Sequence, residues 1–307
     1  MRSPDTRTSP KTNEDTLQGL FFALMAYGLW GFLPIYMKIM SHIPVVEVLV
    51  HRVLWSVPIA AAVLIVLRRT SALNEALRNP RMLVMGCVTA VLISVNWGVY
   101  IWAIVTGQAL DAALGYYINP LFSIFLAAVI LGERLTRAQL VAIALAATAV
   151  VVLTVEAGRI PWVSLVLTVS WGFYALAKKS LPIGPNQGFL LEVLILSVPA
   201  LGYLAYLTAA GESHFSLSFD RDTWLLMGCG VVTAVPLMFY ANGAKLLRLS
   251  TIGILQYIAP TLIFLVAVFV FGETFGRARM IAFPMIWAAL VVYSWSMLRQ
   301  IRSARVA

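Results

Sequence analysis

An internal repeat with a spacing of about 140 residues is the feature that most constrains the fold of this 307-residue chain. The sequence Tyr-Ile-Asn-Pro at 117–120 returns as Tyr-Ile-Ala-Pro at 257–260, and Trp-Gly-Phe at 30–32 returns at 171–173. Each copy is a series of apolar runs in which Pro, Gly and aromatic residues occupy matching places. Self-similarity over so long a period predicts a duplicated helical bundle.

The composition places this bundle in a membrane. Hydrophobic residues make up 61% of the chain and charged residues only 11%, which is too few charges to keep so much apolar surface soluble. A spanning helix needs about 20 mostly apolar residues. The chain contains ten such stretches, near 17–37, 45–67, 82–105, 111–131, 138–155, 161–177, 188–208, 223–244, 251–271 and 280–298.

The charges predict how the bundle is oriented. If the N-terminus lies in the cytoplasm, sixteen of the 22 Lys and Arg residues fall in cytoplasmic segments, five fall outside and Arg52 lies within a helix. This bias follows the positive-inside rule. Five helices per copy is an odd number, so the second copy enters the membrane from the opposite side. We therefore expect an all-α polytopic membrane protein with ten transmembrane helices as two inverted five-helix repeats, and both termini in the cytoplasm.

The expected organisation has five parts. They are a cytoplasmic N-terminal tail at 1–16, a first repeat at 17–155, an external linker at 156–160, a second repeat at 161–298 and a cytoplasmic C-terminal tail at 299–307. The first apolar run is long enough to span and lacks a small-residue cleavage site, so it is interpreted as the first helix and not as a signal peptide.

Several function classes find no support in the sequence. The net charge of +9 is explained by orientation, so no nucleic-acid partner is expected. Cys87 and Cys229 are expected near opposite ends of the bundle, too far apart for a disulfide. The chain has no hydrolase, phosphate-loop or metal-site motif. We therefore expect a protein that is not an enzyme, with no catalytic residues, metal ion or cofactor.

The second predicted helix carries an unusual group of polar residues, Glu47, His51 and Arg52. Arg52 lies roughly 12 Å along the helix from Pro44, so it is expected to face a cavity, a ligand or a partner on another helix. Glu47 and His51 share a face and, with Glu192 at the repeat position of His51, are candidates for coupling to protons. The alternative is a polar lock between helices, or snorkelling to the headgroups for Arg52 and Glu192.

Amide and aromatic residues in the third, fourth, eighth and ninth predicted helices indicate a binding cavity. Such groups need hydrogen-bond partners when buried, and a cavity lined by them would bind an amphipathic small molecule. The alternative is hydrogen bonding between helices. The candidate substrate-binding residues are Arg52, Asn96, Tyr100, Tyr116, Asn119, Tyr240, Gln256 and Tyr257.

Pro120 and Pro260 occupy equivalent places in the two copies, and each removes a backbone hydrogen bond. An opening of the helix at Asn119–Pro120 would present carbonyl groups to the cavity, whereas a plain kink is the alternative. Mirrored interruptions of this kind are typical of a binding site near the middle of the membrane.

Several longer stretches resemble a known family over about residues 17–300. They are Glu-Val-Leu-Val-His-Arg-Val-Leu-Trp-Ser at 47–56, Asn-Trp at 96–97 with Tyr-Ile-Trp-Ala at 100–103, Leu-Gly-Tyr-Tyr-Ile-Asn-Pro-Leu at 114–121, the segment 247–262, and Gly-Glu at 132–133 and 272–273. These motifs are similar to those of EamA-type transporters in the drug/metabolite transporter superfamily, and more specifically of the RarD subfamily. The resemblance implies a carrier of the bacterial inner membrane and supplies no substrate.

These features together predict a secondary transporter that works by alternating access. Export is favoured, and the expected substrates are small polar or amphipathic metabolites or drugs. The expected partners are that small molecule, the lipid bilayer and, as coupling ion, protons; a homodimer is compatible with the sequence. The rival hypotheses are a passive facilitator, a non-transporting membrane sensor or assembly protein, and an intramembrane enzyme.

Overall fold

The computed structural model describes residues 16–66, 71–132, 135–218, 220–247 and 249–306, and the regular structure within these ranges is helical. The helices are α1 (Leu17–Ile39), α2 (Val45–Val66), α3 (Ser71–Arg78), α4 (Pro80–Val105), α5 (Ala109–Leu131), α6 (Arg137–Ala157), α7 (Trp162–Ser180), α8 (Pro185–Ala210), α9 (Arg221–Lys245), α10 (Leu249–Leu255), α11 (Ile258–Leu265) and α12 (Arg277–Val306), with a π-helical turn at Val266–Val270.

The helices confirm the predicted class of an all-α polytopic membrane protein. Among the described residues, eight helices are long and apolar enough to cross a membrane, and shorter apolar helices cover Trp162–Lys178 and Ile258–Val270. Large apolar side chains such as Val151 and Val155 point outward and are exposed. Lipid is the solvent that tolerates such a surface. The long and short apolar helices together occupy the places of the ten predicted spans.

The duplication is visible in where the helices begin. Helices α2 and α8 begin 140 residues apart, as do α5 and α10, and α6 and α12. The repeat mates Gly132 and Gly272 have positive φ angles of 68° and 66°. This left-handed conformation costs glycine little and is common where a helix ends. The two copies therefore share their local structure.

Close packing between the copies is also duplicated. Gly31 of α1 lies so close to Leu262 of α11 that an added Cβ would overlap its side chain, and the repeat mate Gly172 of α7 lies equally close to Phe122 of α5. Phe122 and Leu262 are themselves repeat mates at a spacing of 140. The same helix crossing is thus made twice, as a pseudo-two-fold relation between the copies requires.

This crossing yields a stability prediction. Gly31→Ala is expected to lower the free energy of unfolding by about 2 kcal/mol, because the new methyl group overpacks against Leu262. Gly28→Ala in the same helix is the matched control, since nothing lies within 4 Å of a Cβ there. Denaturant unfolding in mild detergent measures both variants. Equal stability of the two variants would contradict the close packing of α1 on α11.

Contacts between segments distant in the chain define the two ends of the bundle. At the terminal end, where α1 begins and α12 finishes, Thr16 N donates to Leu246 O at 3.2 Å, and the hydroxyls of Thr136 and Ser296 are 3.0 Å apart. The linker end carries the connection at 158–161 between α6 and α7. We use these two names below.

The ninth predicted span, 251–271, is not one helix. Helix α10 ends at Leu255 and α11 begins at Ile258, so a two-residue turn at Gln256–Tyr257 interrupts the helix. Pro260 falls in the first turn of α11, where no backbone N–H is needed. The mate helix α5 instead continues through Pro120. The opening expected at Asn119–Pro120 therefore occurs in the second copy only, and the two copies differ in conformation at this place.

Three further segments lie outside the predicted spans. The short helix α3 lies between the second and third predicted spans, 45–67 and 82–105. Helix α12 continues to Val306, so it includes most of the predicted tail at 299–307. The predicted tail at 1–16 lies outside the described residues except for Thr16, whose hydroxyl caps α1 by accepting a hydrogen bond from Gly19 N at 3.0 Å.

Candidate functional site

A cavity of about 170 Å³ lies between the two copies, lined by residues from the middle of the long helices and by the break between α10 and α11. We call it the central cavity. Seven of the eight predicted substrate-binding residues line it: Arg52, Asn96, Tyr100, Tyr116, Asn119, Tyr240 and Gln256. The sequence thus identified most of the polar groups that meet here.

Tyr257 is the exception. It lies beside its repeat mate Tyr117 in a separate groove on the outer surface, together with Thr261 and Trp287. Neighbouring residues on a helix project about 100° apart, and the repeat mates Tyr116 and Tyr117 of the continuous helix α5 divide between the central cavity and this groove in the same way. Gln256 points to the central cavity and Tyr257 lines the outer groove.

Repeat mates face each other across the central cavity. Trp30 and Trp171 both line it, as do Tyr100 and Tyr240. The cavity therefore lies on the pseudo-two-fold axis between the copies. The two tryptophans were absent from the predicted site, although their Trp-Gly-Phe repeat was a usable signal: the following glycine allows the close helix crossing that brings each indole to the axis.

The aromatic rings form a wall of two packed groups. Ring centroids are 5.7 Å apart for Trp30 and Tyr240, 6.0 Å for Tyr27 and Tyr240, and 5.8 Å for Tyr100 and Tyr116. These spacings are typical of favourable aromatic pairs. Such a wall offers flat apolar faces, with hydroxyl groups at defined points, to a small molecule.

Arg52 is the charged residue of the central cavity. Its side chain is 3% exposed, its Nε donates to Thr233 Oγ1 at 2.8 Å, and its guanidinium carbon lies 4.5 Å from the ring centroid of Trp97. The Nη1 atom is buried without a partner. No carboxylate of the described residues pairs with Arg52, so the expected partner on another helix is a hydroxyl and an aromatic face, which do not neutralise the charge.

Two further polar groups of the cavity are unsatisfied. Tyr100 Oη and Asn119 Oδ1 are both buried without a hydrogen-bond partner. Asn96, by contrast, donates to Leu167 O at 3.1 Å and accepts from Tyr116 Oη at 3.3 Å. Asn96 therefore joins helices as well as lining the cavity. Buried polar groups are normally paired, so the unpaired ones indicate where a ligand would bind.

A second cavity of about 300 Å³ adjoins the central cavity and shares Trp30, Trp171 and Tyr240 with it. We call it the entrance cavity. It extends to Lys178 near the end of α7 and to Asn186 at the start of α8. Both residues lie toward the terminal end, so the entrance cavity extends the central cavity in that direction.

Glu192 and Lys178 form a buried ion pair beside the entrance cavity. Lys178 Nζ lies 2.6 Å from Glu192 Oε1, and Tyr174 Oη donates to Glu192 Oε2 at 3.2 Å. Glu192 is 1% exposed, so it is paired and does not snorkel. Lys178 was not among the candidate residues that the sequence indicated.

The linker end is closed by polar contacts. Tyr36 Oη donates to Leu225 O at 2.5 Å, and Lys38 Nζ donates to the carbonyls of Ile104 and Val105 at the end of α4. A cation is favourable at the C-terminus of a helix. This contact gives Lys38 a partner at the linker end, the end that the sequence predicts to lie outside the cell.

Glu273 adds a longer-range contact at the same end. Its carboxylate accepts from Ala109 N at 2.6 Å and from Leu110 N at 3.0 Å, so it caps the first turn of α5. An anion is favourable at the N-terminus of a helix. The second copy therefore holds the first copy shut at the linker end.

Glu47 and His51, the other coupling candidates, hold the loop before α9. Glu47 lies in the first turn of α2 and is fully buried. It accepts from His214 N at 2.7 Å, and its Oε2 lies 2.7 Å from His214 Nδ1. His51 stacks on Phe215 at 5.0 Å and accepts from Trp55 Nε1. The structure gives Glu47 its hydrogen bonds from the loop and none from His51.

Potential metal ligands and thiols are spread over the described part of the chain. No group of three His, Cys, Asp or Glu side chains converges there to hold a metal ion. Cys87 is exposed, Cys229 is buried, and both are free thiols.

Comparison with known proteins agrees with this architecture. The sequence profile of the EamA-like transporter family matches residues 17–155. The chain is 42% identical to Protein RarD of Streptomyces exfoliatus, with 96% of this chain and 94% of the relative covered. It is 38% identical to the uncharacterized transporter YojE of Bacillus subtilis, with 95% and 98% covered.

Two more distant comparisons extend this result. A relative in Pseudomonas aeruginosa with the name chloramphenicol-sensitive protein RarD is 30% identical, with 93% of this chain and 96% of the relative covered. A solved crystal structure of a protein with 20% identity superposes with a TM-score of 0.58 over 89% of this chain and 96% of the other. The latter supports the fold alone.

A duplicated helical bundle with a cavity on its axis, and relatives named as transporters, define a membrane transporter. The chain belongs to the EamA-like transporter family and, within it, to the RarD subfamily.

Proposed function

We propose that this protein is a secondary transporter that exports small polar or amphipathic metabolites or drugs by alternating access. The observation that carries the proposal is the central cavity, which leads to the terminal end through the entrance cavity and is closed at the linker end by Tyr36, Lys38 and Glu273. With the termini in the cytoplasm, this arrangement is an inward-facing state that loads substrate from inside the cell.

The unequal conformation of the two copies supports alternating access. In an inverted repeat, exchanging the conformations of the two copies converts an inward-facing state into an outward-facing one. Here α5 is continuous at Pro120, whereas its counterpart is broken at Gln256–Tyr257. The outward-facing state would have the break in the first copy and a continuous helix in the second.

Reconstitution tests the proposal against its rivals. Purified protein in proteoliposomes is screened with labelled amino acids and drugs, with and without a proton gradient, and empty vesicles serve as the control. We expect gradient-dependent accumulation of at least one compound. Flux that only equalises concentrations would favour a passive facilitator, and absence of flux would favour a membrane sensor or assembly protein.

We propose protons as the coupling ion and Glu192 as the residue that carries them. Glu192 lies beside the entrance cavity and pairs with Lys178, whereas Glu47 is held by a loop at the linker end. A carboxylate that changes protonation must also change partners as the cavity opens and closes. Glu192 is therefore better placed than Glu47 or His51.

Glu192→Gln is expected to abolish gradient-driven transport and to leave exchange of substrate across the membrane partly intact, because the amide cannot be charged. Glu47→Gln is the matched comparison and is expected to keep gradient-driven transport. Both are measured in the same proteoliposomes. Accumulation at the wild-type rate by Glu192→Gln would exclude this route and leave Glu192 as a lock between helices.

The proposed location is the bacterial inner membrane, with both termini in the cytoplasm and the two repeats at 17–155 and 161–298 joined by an external linker. Reporter fusions at Ala307 and in the loop at 211–218 are expected to give opposite signals, since an odd number of spans separates these sites. Matching signals would contradict the inverted arrangement. A homodimer also remains part of the proposal and is tested by the mass of the purified complex.

A further inference from the structure

We propose that the central cavity binds small monocarboxylates, with the carboxylate on the guanidinium of Arg52 and the apolar or aromatic body against the tyrosine and tryptophan wall. The inference names the substrate class for the proposed transporter and rests on that function for its role in the cell. The binding itself can be tested without transport.

The first step is the uncompensated charge. Arg52 is 3% exposed and, within the described residues, has no carboxylate partner. A buried charge without a counter-ion is costly, and arginine within a membrane protein normally faces a partner or a pathway. Among the described residues that line the central and entrance cavities, Arg52 and Lys178 are the charged ones, and Glu192 already neutralises Lys178. The missing anion is therefore at Arg52.

The second step is geometry. Thr233 accepts from Nε at 2.8 Å and Trp97 covers one face of the guanidinium, so the plane of the group is fixed. Nη1 is buried and unpaired. Two parallel N–H groups on one edge match the two oxygens of a carboxylate. One positive charge is balanced by a monoanion, whereas a dianion would leave a buried negative charge.

The third step is the repeat. The counterpart of Arg52 in the second copy is Val193, which is fully buried among apolar side chains. An apolar residue therefore satisfies the packing at this position of the bundle, and the fold does not require an arginine there. Among the described residues that line the central cavity, the charge comes from the first copy alone, which indicates that the charge serves a ligand.

The rest of the cavity fits the body of such a molecule. The aromatic wall offers stacking faces, and Asn119 Oδ1 is an unused acceptor that suits a hydroxyl or amino group on the substrate. No acidic residue lines the described cavity, so nothing repels an anion.

Matched pairs of probes test the proposal. Calorimetric titration of the purified full chain in mild detergent is carried out with benzoate and benzamide, phenylacetate and phenylacetamide, and cinnamate and cinnamamide. Each pair keeps its shape and differs in charge. We expect at least one carboxylate to bind roughly 10- to 100-fold more tightly than its amide, the effect of a charge-assisted hydrogen bond at a buried site.

Variants locate the effect. Arg52→Gln is expected to remove the preference for the carboxylate, Arg52→Lys to keep part of it, and Arg159→Gln, in the exposed linker, to leave it unchanged. The comparison of probes on the unaltered protein needs no variant, so a failure of Arg52→Gln to fold does not stop the test. Equal binding of both members of each pair, no binding of any pair, or a preference that survives Arg52→Gln would overturn the proposal.

Counterflow of the same probes in proteoliposomes separates this inference from the proposed function. Movement of carboxylates in preference to amides supports both. Movement of the amides alone contradicts the carboxylate site and leaves a transporter. Tight binding of carboxylates without any movement supports the site and contradicts transport.

Discussion

Lys178→Met is expected to lower the free energy of unfolding by about 3 kcal/mol. The stability is lost because the variant leaves the carboxylate of Glu192 buried, at 1% exposure, without a counter-charge. Glu192 would keep its hydrogen bond from Tyr174 but lose the ammonium group of Lys178, which lies 2.6 Å away. An unpaired charge in the membrane interior is far costlier than the absence of the pair. The double variant Lys178→Met/Glu192→Gln is therefore expected to recover much of the loss.

Denaturant unfolding in mild detergent, carried out as a double-mutant cycle, measures the coupling between the two side chains. Arg159→Met is the control, because removal of an exposed charge changes stability by roughly 0.5 kcal/mol or less. If the double variant is as unstable as Lys178→Met alone, the effect comes from lost packing of the lysine stem and not from the ion pair.

Helix positions followed from the sequence because a membrane imposes a minimum apolar length. The interruption at Gln256–Tyr257 could not be predicted from the sequence, for a physical reason. Both copies carry the same Tyr-Ile-x-Pro signal, and a proline tolerates either a kinked helix or the first turn of a new one. Which copy is broken depends on the conformational state of the whole bundle, and a local sequence does not determine that state.

The cavity was largely predictable because buried amides and hydroxyls are rare within membrane helices and must converge on one another or on a ligand. Arg52 is the clearest case, since its depth alone required a cavity or a partner. Trp30 and Trp171 were missed because tryptophan is also common at membrane interfaces. The glycine that follows each of them would have distinguished these two tryptophans from interfacial ones.

The ion pairs were not predictable. Glu192 binds Lys178 fourteen residues away, and Glu47 binds His214 on another part of the chain. Such pairings depend on the rotation and tilt of neighbouring helices, which hydrophobic periodicity does not determine. These pairings nevertheless bear on the proposed roles of the two glutamates, because they place Glu192 beside the entrance cavity and Glu47 at the closed linker end.

Glu273→Ala is expected to open the linker end. The carboxylate of Glu273 accepts two backbone hydrogen bonds from the start of α5, and these contacts exist only while the two copies touch there. Removing both favours the outward-facing state by about 3 kcal/mol, since each hydrogen bond to a charged group contributes roughly 1.5 kcal/mol or more. This corresponds to a shift of roughly 100-fold in the equilibrium between the two states.

The shift is measured with Leu33→Cys, which lies on the central cavity, in a background without Cys87 and Cys229. A membrane-impermeant thiol reagent applied from the linker side should label this cysteine faster when Glu273 is replaced. Glu156→Ala, at an exposed acid of the same end, is the control and should leave the rate unchanged.

The repeat mate of Glu273, Glu133, lies outside the described residues, and the repeat predicts that Glu133→Ala slows labelling. An unchanged rate in Glu273→Ala would show that the cap on α5 does not hold the linker end shut.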